Sequence, residues 1–273
     1  MNLSNASLHF VIIDTFLQRG FAPTLDELAA RFGVARGLMR KALGELQDHH
    51  GVVLHPHSDE IWVAHPFSTV PTGFLVSSGG REWWGNCAWC SLGLAALVDA
   101  PATIRTSPGY DRPTVELRIV DGKLDRHDFV VHFPTPMARA WDNVIATCAT
   151  MLVFDDEAHV DAWCAMHRMT RGDVQPIETV WNFAREWYGR HADPDWEKLS
   201  ASEATEMFAR HGLTGPIWSL PAQDGHFQAP APIRLPFLSE RRRRRNFVWN
   251  TVFLKDFRLC CFLVPRLASA SGS

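Results

Sequence analysis

Two cysteines three positions apart, set among tryptophans, mark the segment Trp83-Trp84-Gly85-Asn86-Cys87-Ala88-Trp89-Cys90-Ser91-Leu92-Gly93. A small-residue apolar run, Leu94 to Val98, follows at once and meets Asp99-Ala100-Pro101. The spacing predicts a helix over about 88–98, stopped before the proline. Thiols in this setting point to soft-metal binding or nucleophilic chemistry. The chain has six cysteines in 273 residues (Cys87, Cys90, Cys148, Cys164, Cys260 and Cys261), too few for a disulfide scaffold. The fold must therefore rest on an apolar core. With 46% hydrophobic and 21% charged residues the composition is ordinary for a globular protein. A chain of this length buries roughly three quarters of its unfolded surface.

A net charge of −3 gives no general pull toward nucleic acid or anionic lipid. No apolar run approaches the ~20 residues of a membrane span. The start, Met1-Asn2-Leu3-Ser4, lacks the basic and apolar regions of a secretory signal. The expectation is a cytoplasmic protein with reduced thiols and no membrane partner.

Residues 1–66 read as helices followed by a hairpin. Leu8 to Leu17 has apolar residues at helical spacing, and Thr24 reads as the cap of a helix with acids in its first turn. A further helix, about Ala35 to Gln47, places Leu38, Ala42, Leu43 and Leu46 on one face. Two short strand patterns then flank a polar turn at Pro56 to Asp59. This order is a winged-helix pattern. DNA is nevertheless not the expected partner. Up to Pro66 there are five basic residues (Arg19, Arg31, Arg36, Arg40, Lys41) against seven acidic ones, a sum of −2, and a DNA reader needs positive charge to displace phosphate counterions.

Residues 67–80, rich in Pro, Ser, Thr and Gly, read as a connector. Strand-like runs follow at 102–106, 114–120, 128–133 and 144–154, with Asp121-Gly122 as a hairpin turn. Helical patterns cover 156–167 and the face Ile177, Val180, Trp181, Ala184, Trp187, Tyr188, and Ser200 to Glu203 forms a capping box. From 223 to 273 the chain is Pro-rich and carries Arg241 to Arg245 in a row, the pattern of a poorly ordered tail.

Cys90 falls in the first turn of its helix, where exposed N–H groups and the dipole favour a thiolate. Trp83, Trp84 and Trp89 are available to wall an apolar pocket around it, and Cys87 lies one turn back. The Cys-x-x-Cys pair admits a redox reading, which needs a βαβ setting the pattern lacks. It admits half a zinc site, for which Cys148 and Cys164 do not supply the remaining spacing. It also admits an active thiol with a helper, or inert core cysteines. His49, His50, His55, His57 and His65 gather around the expected wing and read as a solvated hairpin. Nothing in the spacing demands that His132 or His167 approach the thiols.

Cys87-Ala88-Trp89-Cys90-Ser91-Leu92 resembles the alanine-tryptophan-cysteine motif of the organomercurial (alkylmercury) lyases, and Cys148, six residues before Phe154, resembles that family's second essential cysteine. The winged-helix pattern also fits, and the resemblance spans about Leu8 to Phe154. It implies protonolysis of a carbon–mercury bond by two thiols, Cys90 and Cys148, which also hold the mercury of substrate and product. Mercury is soft and thiolate is its matching ligand. The resemblance implies no separate cofactor, an organomercurial small molecule as substrate, and cellular thiols to remove the product. The family's third essential group, an aspartate, corresponds here to Gly93, which carries no proton. Cys87 is then the auxiliary thiol nearest in sequence, with Asp155 and Asp156 as more distant donors. The expected fold class is α+β: a winged-helix domain (1–66), a connector (67–80), and an antiparallel-sheet catalytic domain with flanking helices (81–222). The alternative function is a thiol-based soft-metal sensor without lyase activity.

Overall fold

The N-terminal helices form where their caps and apolar stripes coincide. A computed structural model describes residues 2–221; the expected tail, with Arg241 to Arg245, Cys260 and Cys261, lies outside them. Helix α1 (Asn5–Arg19) starts at Ser4, whose hydroxyl accepts the Ser7 N–H, and buries Leu8, Val11, Ile12 and Phe16. Helix α2 (Leu25–Phe32) opens on the expected Thr24, in a reciprocal capping box with Glu27. Helix α3 (Arg36–Asp48) buries Met39, Ala42, Leu43 and Leu46, a 3-4-7 stripe. Leu38, expected on that face, sits about 100° around the helix from Met39 and is half exposed.

Strands β1 (Val53–Leu54) and β2 (Ile61–Ala64) make the expected hairpin. Residues 67–80, expected as a connector, instead carry β3 (Phe67–Ser68) and β4 (Leu75–Ser78). Their Pro and Gly residues sit in the turns: Pro71 and Gly73 between the strands, and Gly79-Gly80, both at positive φ, after them. Strands β5 (Arg81–Gly85), β6 (Ala102–Thr106), β7 (Val115–Val120) and β8 (Lys123–Leu124) complete an eight-stranded sheet. Its order is β1-β2-β3-β5-β4-β6-β7-β8, antiparallel throughout. The N-terminal hairpin is thus the edge of this larger sheet. Asp121 and Gly122 both take positive φ, as a two-residue hairpin turn requires.

A second sheet places β9 (Val130–Phe133) between β10 (Val153–Phe154) and β11 (Asp173–Pro176). The run 144–154, expected as one strand, divides. Val144–Thr150 is a helix, α5, because Asn143 caps it through a 3.0 Å bond from the Ala146 N–H. Only Val153 and Phe154 remain strand. Intrinsic strand preference is a weak prior that a cap and burial on one helical face override. Helices α6 (Glu157–His167), α7 (Ile177–Tyr188) and α8 (Ala201–Arg210) follow at the expected positions, α6 capped by Asp156 and α8 by the Ser200–Glu203 box.

Helix α4 (Ala88–Leu97) is the centre of the arrangement. It is apolar all round and is buried from Ala88 to Ala95, between the large sheet and α7. Gly85 permits the close approach of β5: a Cβ there would stand 2.8 Å from Cα of Ser91. Trp83 ties α1 to the sheet by donating its indole N–H to the Phe16 carbonyl at 2.6 Å. No helix among the described residues is long and apolar enough to cross a membrane.

Candidate active site

Three chain segments bring thiols and an imidazole together. The corner from β5 into α4 carries Cys87 and Cys90. Cys87 is the N-cap: its sulfur accepts the Cys90 N–H at 3.3 Å, while its own S–H points to Met151 Sδ at 3.6 Å. Cys148 lies on α5, and the chain leaving α5 is fixed to α4 by a main-chain bond from Ala88 N–H to the Met151 carbonyl, 3.0 Å. His65 comes from the turn between β2 and β3. Asn86 holds that turn, its backbone N–H donating to the Pro66 carbonyl at 3.1 Å and its side-chain amide meeting His65 Nε2 at 3.3 Å.

The ligand atoms of His65, Cys90 and Cys148 lie within 4.8 Å of one another. Two sulfurs that bridge one mercury at about 2.3–2.5 Å each must come within about 5 Å, by analogy with other metal–thiolate lengths. The Cys148 sulfur is 3.7 Å from His65 Nε2, and the Cys90 sulfur is 3.3 Å from the Tyr188 hydroxyl.

The sulfurs form the floor of a cavity of about 300 Å³. Its walls are mostly apolar: Trp89, Met137, Trp141, Val144, Trp187 and Trp196. Exposed Glu186, Arg190 and Glu197 stand at its mouth. Lys198 lines it too; burial lowers its pKa to about 8, and its ammonium donates to His50 Nδ1 at 2.7 Å.

The three thiols hold their protons unequally. Burial raises the Cys90 pKa, but hydrogen bonds from Cys148 and Cys87, His65 nearby and the Tyr188 hydroxyl outweigh it, and Cys90 is held well below the ordinary thiol value. For Cys87, burial and then the neighbouring thiols push the pKa well up. Cys148 is pulled down by Cys87, yet its bond to Cys90 and burial carry it well above the ordinary value. Of the three thiols Cys90 is thus the most readily ionised, and Cys87 and Cys148 hold their protons more tightly. His65 is lowered by burial, against a smaller opposing pull from Cys90, so its ring is a neutral acceptor.

Among the predicted site residues, Cys90 and Cys148 share the cavity, while Cys87 lies beside them as a helix cap and does not line it. Asp155 pairs with Arg112 and His159, Asp156 caps α6, and neither lines the cavity. Of the three tryptophans expected to wall Cys90, only Trp89 does so; Trp83 is bonded to α1 and Trp84 does not line the cavity. His55 and His57 are exposed on the hairpin as expected. His65 was grouped with them, although its sequence position next to Pro66 marks a turn. Trp141, Trp187 and Trp196 as walls, and Tyr188 at the sulfur, carry no motif of their own.

Residues 67–189 match the family model for alkylmercury lyase. The match contains Cys90, Cys148 and Tyr188 and begins after the N-terminal helices, so it starts later and reaches further than the resemblance seen in the sequence. A crystal structure of the mercury-bound form of MerB2 superposes with a TM-score of 0.54 at 21% identity, covering 67% of this chain and 91% of that one. No curated protein sequence matches the chain.

Proposed function

We propose that the chain is an alkylmercury lyase in which Cys90 and Cys148 hold one mercury atom. The observation that carries this reading is the pair of sulfurs within bridging distance on the floor of an apolar cavity. The Cys90 thiolate displaces the leaving ligand X⁻ from R–Hg–X and forms S–Hg–R. Cys148 then bonds to mercury and gives its proton to His65 Nε2, 3.7 Å away. The electron pair of the C–Hg bond takes up a proton, R–H leaves, and Hg(II) remains on two sulfurs. In the balance, the proton lost by Cys148 is the one carbon gains. The apolar walls suit a hydrocarbon group R. Small thiols are the chemical class that would carry Hg(II) away, and a reducing cytoplasm suits the free cysteines.

With methylmercury and excess small thiol, methane is expected over many turnovers. Stoichiometric retention of intact methylmercury without methane would favour a thiol sensor instead. The pH dependence has a defined sign. Both Cys90 and His65 are needed deprotonated and both are shifted downward. Release is therefore expected to fall as pH drops, with its acid limb below the ordinary thiol value of about 8.5. An acid limb above that value would contradict the assignment.

The N-terminal helices and hairpin are best read as a winged-helix-like unit that braces the sheet rather than as a DNA reader. Four of its five basic residues are already paired: Arg19 with Glu27, Arg36 with Asp26, Arg40 with Asp59 and Lys41 with Glu45. A surface whose cations are matched internally releases few phosphate counterions.

A further inference from the structure

Resting on the lyase reading, we propose that Tyr188 is the acid that protonates the substrate carbon, in place of the aspartate the family carries at the position of Gly93. Two observations meet here. The Tyr188 hydroxyl touches the Cys90 sulfur at 3.3 Å, so it stands beside any mercury bound there. The Tyr188 ring also fills the space over Gly93. A Cβ at residue 93 would stand 2.6 Å from Cγ and Cε2 of that ring, and closer still to Cδ2. Glycine at 93 and tyrosine at 188 are therefore a matched pair: the ring enters only because the side chain at 93 is absent.

Three other proton carriers near the sulfurs have partners of their own. The Cys87 S–H points to Met151, the Thr147 hydroxyl donates to the Ala140 carbonyl, and Glu186 is held by Arg210 and His211. Tyr188 is buried, so its hydroxyl faces the Cys90 sulfur and not bulk water. A weak acid suffices, because a carbon leaving mercury with the bonding pair is a far stronger base than phenolate. The step balances as follows. The O–H bond of Tyr188 breaks, the C–Hg pair forms the new C–H bond, and the phenolate recovers its proton from the His65 imidazolium made when Cys148 bound.

Tyr188→Phe keeps the ring over Gly93 and removes the hydroxyl. In a single turnover of phenylmercury, the variant is expected to bind one equivalent as the wild type does. It should release benzene about 10²- to 10⁴-fold more slowly, the usual span for loss of a general acid. Release at the wild-type rate would overturn the role of Tyr188 alone. A wild type that binds phenylmercury and releases no benzene would overturn the lyase reading and this proposal with it. A second readout does not depend on that variant folding. Replacing Tyr188 with 3-fluorotyrosine keeps ring and hydroxyl but makes the phenol a stronger proton donor, so single-turnover benzene release at neutral pH should become faster by a few-fold. An unchanged rate would overturn the proposal.

Discussion

Cys90→Ala is expected to lower hydrocarbon release by at least about a thousandfold, because it removes the group that forms the first bond to mercury. The loss should be seen in capture as well as in cleavage. Cys90 is the thiol held below its ordinary pKa, while Cys148 and Cys87 are pushed above theirs. Cys148→Ala should differ in kind. Its Cys90 still captures R–Hg⁺, but mercury gains no second sulfur and no proton reaches His65. The expected result is a stable one-to-one complex of intact organomercurial with release reduced to a similar extent. Gas chromatography of the hydrocarbon, beside mercury retained after gel filtration, separates the two behaviours. Equal capture and equal release in both variants and the wild type would return these cysteines to the core.

Placing an aspartate at residue 93 is expected to damage the protein. The new Cβ would enter the Tyr188 ring, which is itself fully buried against α4. Overpacking of this kind costs about 1–3 kcal/mol, and more where the neighbour is a ring that cannot swing aside. A buried carboxyl without a planned partner adds to the cost. Gly93→Asp should therefore lower the melting temperature by about 2–4 °C for each kcal/mol lost. Combining it with Tyr188→Ala makes room, so the double variant should lose less than the sum of the singles, a coupling of about 0.5–3 kcal/mol. Thermal unfolding of the four proteins checks this. Strict additivity would mean that residues 93 and 188 do not share the space.

Much of the local structure is legible in the sequence because it is set by short-range chemistry. The Thr24–Glu27 and Ser200–Glu203 boxes, the Asp121-Gly122 turn and the face of α7 all lie within a few residues of their causes. The motif around Cys90 and the position of Cys148 also single out two residues that the structure brings into one cavity. What was hidden depends on long-range pairing. His65 reaches the thiols only because β3 pairs with β5, which brings the β2–β3 turn beside Asn86 and Cys87. Reading residues 67–80 as a connector cuts that link. Tyr188 was placed on the apolar face of its helix, and the ring does pack there. Its hydroxyl takes part because α7 crosses α4 at Gly93, a crossing no local pattern encodes. The α5 segment was misread for the opposite reason: β-branched residues dominate it, but one Asn cap decides its form.

The central claim is that one mercury leaves carbon and ends on two sulfurs. X-ray absorption at the mercury edge, recorded on wild-type protein after one turnover of phenylmercury, tests it most directly. The account predicts mercury bound by two sulfurs at about 2.3–2.5 Å, no remaining carbon neighbour, and one equivalent of benzene in the headspace. Mercury still bonded to carbon and to a single sulfur, with no benzene released, would contradict it.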